Sequence, residues 1–371
     1  MRIRTLVLPI CTAAVLLSSC ATDTPPAAAA PVAAERLRAD LDALVGSGAV
    51  GALATLTEGG ATSVVTAGHA DIATGAKIPT DPPQYVRVGS ITKTFTAALV
   101  LQLVAEHRIE LDQPVEKYLP GLLTTADGPT VTVRQLLGHR SGLPEPAAAP
   151  EVDEYESALA GRTYTPAQEL ALIMRLPAQF APGSQFRYAN SNYIVAGMLI
   201  EAVTGHRYTD ELRGRILTPL ELSHTYLPGT GETGLRDPHP AGYDTLDSGP
   251  ADRTRIEPSI PWASGALVST GADLNRFYTA LLAGQVVPQA LLTQMLDGVD
   301  MGNGDGMSYG LGIGYAQLPC GTRYVGNVGG VRGFTAITGV AEGSGRAVTV
   351  SFTGTPTALD IGGLLTHALC G

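Results

Sequence analysis

Residues 95–104 are apolar on nearly every side of the helix that the stretch 90–106 predicts. A surface helix keeps a polar face, so a helix of this kind must be enclosed by the rest of the protein. The polar groups collect at its start, in Ser90-Ile91-Thr92-Lys93. The lysine follows the serine by three residues, so both side chains project from one face of the first turn. The serine N–H is also one of the unpaired donors of a helix start. Desolvation and cationic neighbours lower a lysine pKa towards neutrality, where the amine can take a proton from a hydroxyl. The bland alternative is a helix cap beside a solvated lysine, which would not need so apolar a helix behind it. Lysine is scarce here: Lys77, Lys93 and Lys117 are the three in the chain, against a Lys plus Arg total of 24.

Enclosing such a helix takes a large core. The chain has 371 residues, 44% hydrophobic and 16% charged, which suffices to bury one. Residues 50–57 and 62–69 read as strands around the Glu58-Gly59-Gly60 turn, and strand-like runs return at 309–317, 322–328, 334–340 and 346–353. Helical patterns cover 34–45, 133–137, 166–176, 191–204, 210–216, 270–282 and 357–369. Strands at both ends with helices between predict an α+β fold: an antiparallel sheet flanked by helices, built from both chain ends, with an inserted mainly helical lobe. The expected division is an α/β lobe from residues 35–115 plus 255–371 and a helical lobe from 116–254, with the cleft between them.

Arg2 and Arg4 open the chain, and the apolar residues 5–17 that follow are too short to span a bilayer comfortably but suit a secretory signal. The stretch ends in Leu17-Ser18-Ser19-Cys20, which resembles the bacterial lipoprotein box, whose cysteine is acylated and becomes the first residue. On that reading residues 1–20 are a lipoprotein signal peptide, Cys20 is the lipidation site, and the Ala/Pro-rich residues 21–34 are a semi-rigid tether. The protein is then exported and held by lipid at the outer face of the cell membrane. The alternative is ordinary cleavage near Ala21, with the chain released to the cell envelope or beyond. With Cys11 leaving in the signal and Cys20 acylated, Cys320 and Cys370 remain as a disulfide pair in an oxidising compartment, clipping the last helix to a strand hairpin. Two separate thiols are the alternative.

The formal charge of −10 offers nothing to a phosphate backbone, so nucleic acid is excluded as a partner. The seven histidines lack metal-ligand spacing, and neither metal nor cofactor is expected. Glycine triplets at Gly46-Gly48-Gly51 and Gly229-Gly231-Gly234 lack the strand-then-helix context of a dinucleotide site and read as turns. Tyr188-Ala189-Asn190, in the turn before the apolar helix 191–204, completes a candidate site. It offers a phenol whose pKa falls near a cation and an amide to hold the substrate.

At this point the chain resembles the penicillin-recognising serine hydrolases, nearest the secreted D-alanyl-D-alanine carboxypeptidases and the class C β-lactamases. Val88-Gly89-Ser90-Ile91-Thr92-Lys93 resembles their nucleophile segment, and Leu136-Leu137-Gly138-His139-Arg140-Ser141-Gly142-Leu143 a structural signature of their helical lobe. Pro182-Gly183 through Tyr188-Ala189-Asn190-Ser191-Asn192-Tyr193 resembles the second catalytic motif, and residues 265–270 and 309–312 match further segments. The resemblance implies a serine acyl-hydrolase of carboxypeptidase type. Ser90 would form the acyl-enzyme, Lys93 and Tyr188 would shuttle its proton, and Asn190 would hold the substrate amide. The N–H groups of Ser90 and Gly330 would form the oxyanion hole. Trp262 falls where the carboxypeptidases place a cleft aromatic, though it reads equally as a packing residue.

The match breaks on the substrate side. The family's Lys- or His-Thr-Gly motif aligns with Asn327-Val328-Gly329, and the arginine that grips a terminal carboxylate aligns with Gly314. Arg332 is the candidate replacement cation, and Asn327 and Gly329 remain candidate substrate contacts. The expected substrate is a peptide, peptidoglycan precursor, ester or β-lactam, acted on by a monomer. Rival readings are an esterase or β-lactamase-like hydrolase, and a non-catalytic cell-envelope binding protein that keeps the fold.

Overall fold

Two segments far apart in the sequence build one sheet. The computed structural model describes residues 29–370 apart from 247 and 305, so the signal peptide and Cys20 lie outside the described residues. β1 (Ala49–Glu58) and β2 (Ala61–Gly68) form a hairpin. The last third of the chain adds β3 (Val299–Asp300), β4 (Ser308–Tyr309), β5 (Gly314–Gln317), β6 (Arg323–Val331), β7 (Phe334–Ala341) and β8 (Arg346–Gly354). Among the described residues the sheet runs β2-β1-β8-β7-β6-β5-β4-β3, and each pairing is antiparallel. This is the expected α+β architecture, with helices on both faces of a sheet drawn from both chain ends.

Strand β1 shows why the pattern folds this way. Ala52, Ala54 and Leu56 pack with Leu37, Leu41 and Leu44 of the helix Ala29–Gly46 and with Leu364, Leu365 and Leu369 of the helix Ile361–Leu369. Leu53, between them, turns to the opposite core with Phe95 and Phe277. Alternate side chains of a strand face opposite sides, so a strand covered on both faces reads apolar along its length. The helix Thr92–Ala105 runs through that second core, buried from Thr92 to Leu101, with Phe95 stacked on Phe277 at a centroid distance of 3.7 Å. Its apolar circumference is satisfied from every side.

Several boundaries differ from the sequence expectation. Ser90 sits on a 3₁₀ turn, Gly89–Ile91, and the α-helix begins at Thr92. The run 309–317 is two short strands, β4 and β5, rather than one. The turn between them has Gly312 at φ +79°, and a Cβ there would come within 2.7 Å of the Tyr193 hydroxyl. The first helix starts at Ala29, so the end of the expected tether is helical. Pro31 falls in that helix's first turn, where its missing N–H costs nothing. The last helix starts at Ile361, where the Asp360 side chain accepts from Gly363 N at 2.8 Å.

Cys320 and Cys370 are joined, with Cα atoms 5.9 Å apart. Cys320 lies in the turn between β5 and β6 and Cys370 follows the last helix, which is the clip expected from the sequence. Among the described residues no helix is long and apolar enough to cross a membrane.

Candidate active site

The turn that carries Ser90 is pressed against the edge of β6. The partner strand β5 pairs with β6 only from Arg323 to Gly326, so beyond that point this edge has no neighbouring strand. The Ser90 turn occupies the space. A Cβ on Gly329 would collide with the Val88 carbonyl oxygen and stand 2.8 Å from Ser90 N, and one on Gly89 would stand 2.6 Å from Gly330 N. Gly89 also has φ +51°, which glycine adopts without strain. Glycines at 89 and 329 therefore let two backbones approach closely, and this brings Gly330 beside the serine.

Lys93 is almost completely buried beneath Ser90. Its Nζ donates to Asn190 Oδ1 and to the Ser264 carbonyl, both at 2.7 Å, and lies 3.1 Å from Ser90 Oγ. Burial pushes its pKa down to about 7, against the opposing pull of Glu154 and Glu145. A neutral amine has two hydrogens and one lone pair. The two short acceptors take the hydrogens, and the lone pair is left facing Ser90 Oγ. Ser264 lies in a single helical turn, Trp262–Gly265, whose carbonyl is thereby aimed at the amine.

The Tyr188 hydroxyl donates to Ser90 Oγ at 2.6 Å. The expectation that its pKa falls is overturned. Lys93 Nζ lies 4.9 Å from the ring centroid, yet desolvation of the hydroxyl dominates and raises the pKa well above the ordinary phenol value. Tyr188 is a proton-carrying donor at neutral pH, not a phenolate. His139 stacks on its ring at 4.2 Å, and the Nδ1 of that fully buried imidazole accepts from Ala189 N at 3.2 Å. Burial, with Lys93 nearby, keeps His139 neutral, its pKa well below the usual value.

A group of carboxyls lies behind these residues. Asn190 Nδ2 donates to Glu145 Oε1 at 3.0 Å and to Glu154 Oε2 at 2.9 Å, and Asn190 N donates to Glu145 Oε2 at 2.6 Å. The Asn190 amide is thus held between Lys93 and two carboxyls. Burial and the Glu145 charge push Glu154 up to about 7, and burial raises Glu145 as well. Glu169 is fully buried, neither of its side-chain oxygens has a protein partner, and burial pushes it up to about 9. No local pattern marks these glutamates. Glu145 follows two residues after the Leu136–Leu143 segment, and the only signal for it was that proximity.

Residues 37–366 match the Beta-lactamase family. The chain belongs to that family. It carries the fold of the beta-lactamase-like serine hydrolases. Among solved structures it is similar to a D-stereospecific amidohydrolase from Streptomyces sp., 34% identical with a TM-score of 0.83, covering 91% of this chain and 98% of that one. It is also similar to the D-amino acid amidase of Ochrobactrum anthropi SV3 complexed with L-phenylalanine amide, 29% identical with a TM-score of 0.76, covering 87% and 91%. Protein flp of Staphylococcus aureus (strain MW2) is 30% identical over 177 residues, 47% of this chain. The chain spans about a third, 34%, of that curated relative's length.

Within this family fold the substrate-side candidates fall differently from the nucleophile group. The Asn327 side chain points into the interior, donating to Thr94 Oγ1 at 3.1 Å and accepting from Val328 N at 2.9 Å. Gly329 is buried against the Ser90 turn. Arg332 donates to Glu156 at 3.0 Å and lies 3.6 Å from Asp244, so its charge is already matched. Trp262 lines neither cavity beside Ser90. Its indole packs edge-on against Tyr208 at 5.3 Å and over Gly197, the packing alternative.

Those two cavities meet at Ser90 and Gly330, which line both together with Tyr155. One is small, about 30 Å³, and reaches Glu154, Asn190 and Arg332. The other is about 910 Å³ and includes Tyr188, Gly314 and Asn327 in its wall.

Proposed function

We propose that this protein is a serine acyl-hydrolase that forms an acyl-enzyme on Ser90 and cleaves an amide or ester of a small amino acid bearing a free α-ammonium group. The observation that carries the reading is the arrangement of Lys93, with two hydrogens taken at 2.7 Å and its third position on Ser90 Oγ. Ser90 Oγ attacks the carbonyl carbon as its proton passes to Lys93 Nζ. The oxyanion is met by the N–H groups of Ser90 and Gly330, a contribution of roughly a few kcal/mol per donor. The bond to the leaving nitrogen or oxygen breaks as Tyr188 and Lys93 return the proton to it, and water then releases the acyl group.

Charge separates this reading from a carboxypeptidase. The positions expected to grip a terminal carboxylate are Gly314, an inward-turned Asn327 and an Arg332 already paired with Glu156. Glu154 lies in the wall of the small cavity, with Glu145 sharing its Asn190 partner. A cation on the substrate would draw these raised carboxyls into their ionised form, so the acyl side favours an α-ammonium, which an amino-acid amide has and an N-acylated peptide lacks. The similarity to a D-stereospecific amidohydrolase and a D-amino acid amidase supports the D configuration. Export and lipid attachment at Cys20 are part of the proposal.

The test uses protein beginning at residue 21, with D-alanine amide, a D-alanine ester and D-alanyl-D-alanine as substrates. Hydrolysis of amide and ester that is lost in Ser90→Ala, with slower cleavage of the dipeptide, is the expected result. Faster release of terminal D-alanine from carboxylate-bearing peptides would restore the carboxypeptidase reading. No Ser90-dependent turnover would favour the binding-protein reading.

A further inference from the structure

The large cavity is built for an apolar occupant. Among the described residues none of the side chains lining it is Lys, Arg, Asp or Glu. Ala316 and Leu318 at the β5 end, Val328 on β6, and Ile361 and Leu365 on the last helix supply apolar walls, with Met301 at the rim. The space runs from Ser90 and Gly330 across the end of β5 to that helix, which the Cys320–Cys370 bond holds against the β5–β6 turn. Its volume, about 910 Å³, contrasts with about 30 Å³ on the other side of the serine.

The reacting groups tell which part of a substrate enters. The departing atom must receive its proton from Tyr188 or Lys93. Tyr188 lines the large cavity and is absent from the wall of the small one. We propose that the large cavity is a leaving-group subsite for an extended apolar substituent, so that the preferred substrates are amides or esters carrying a long alkyl or aromatic group on the leaving nitrogen or oxygen. This rests on the acyl-hydrolase reading for its orientation. Among the described residues the lining has no lysine or arginine, its one histidine, His367, already faces Asp40 at 3.0 Å, and Gly314 adds no side chain, so the walls offer little to a carboxylate and leave room for hydrocarbon. Each methylene transferred from water into such a wall strengthens binding about fourfold.

Binding to Ser90→Ala protein separates this from catalysis. D-Alanine methylamide and D-alanine hexylamide are titrated by calorimetry. The hexylamide is expected to bind at least tenfold tighter. Ala316→Phe, combined with Ser90→Ala, is expected to remove most of that gain by filling the groove, and Ile361→Trp does the same from the opposite wall. Thermal melts establish that each variant is folded. Equal affinities for the two amides, or no measurable binding of the hexylamide, overturn the proposal. A gain that persists in both groove variants also overturns it. Tight hexylamide binding without hydrolysis by the unmutated protein would instead refute the hydrolase reading and leave the groove standing.

Discussion

Lys93 Nζ lies 3.1 Å from Ser90 Oγ, at the head of a helix buried on every side. The proximity matters because burial has lowered the amine to about 7, so at neutral pH much of it is free base. The working form is the deprotonated one, and deprotonation increases with pH. The kcat/KM is therefore expected to rise about tenfold per pH unit below pH 7 and to level off above it. Lys93→Arg keeps the charge but cannot give up its proton, and it should abolish the ascending limb together with activity. A pH–rate profile on an uncharged acyl ester checks this without titration of the substrate. A flat profile from pH 5 to 8 would exclude Lys93 as base.

Tyr188 stays protonated and donates to Ser90 Oγ at 2.6 Å. Tyr188→Phe keeps the ring that His139 stacks on and removes only the proton carrier. Acylation should slow by roughly 10² to 10⁴, the range for a positioned acid or base, with little change in substrate affinity. Single-turnover kinetics separate the two. An unchanged acylation rate would confine Tyr188 to packing.

Glu154 and Glu145 oppose the fall in the Lys93 pKa. Removing one charge lets the amine fall further, so Glu154→Gln should move the ascending limb to lower pH. The same substitution should weaken substrates with an α-ammonium more than their uncharged acyl counterparts. Ratios of kcat/KM for the two substrate kinds, measured across pH, report both effects. A limb that moves to higher pH contradicts the electrostatic assignment.

Glu169 is fully buried with no protein partner for either oxygen, and its pKa is about 9 in the folded protein against about 4.5 for the free side chain. A raised carboxyl pKa means that the folded state holds a proton which the unfolded state has released. Its stabilising contribution is complete below the unfolded value and is lost as pH rises towards 9. Glu169→Gln removes that slope. Relative to the unmutated protein, its Tm should therefore climb between pH 5 and 8, by no more than about 1.4 kcal/mol of stability per pH unit. Parallel melting curves at both pH values would show that Glu169 titrates normally.

Gly329 is fitted between Val88 and Ser90. Gly329→Ala forces the β6 edge off the Ser90 turn, and overpacking of this kind costs roughly 1–3 kcal/mol. It should lower Tm and also reduce reaction with Ser90-directed acylating reagents. The same change at Gly214, where an added Cβ meets nothing, is the control. Equal effects at both positions would show that the close approach is unimportant.

Periodicity and residue type carried much of this in the sequence. The strand-like runs of β1 and β8 and the uniformly apolar helix after Ser90 are local patterns, and local patterns select secondary structure whatever the rest of the chain does. The Ser90–Lys93 pair was legible for the same reason, since three residues of helix place both groups on one face. Tyr188 and Asn190 were legible through the motif around them. The glutamates were not. Glu145, Glu154 and Glu169 belong to separate segments, and only the packing of those segments sets Glu145 and Glu154 on Asn190 and buries Glu169 within reach of their charge. The same packing reversed the expected shift of Tyr188, because desolvation depends on neighbours that no spacing encodes. It also turned Asn327 inward, paired Arg332 with Glu156 and Asp244, and set Trp262 against Tyr208. The sequence by itself determined the elements and the nucleophile pair, through contacts within a turn or two. Only the tertiary structure decided the charge, the size and the sidedness of the site, because these depend on which distant surfaces exclude water from one another.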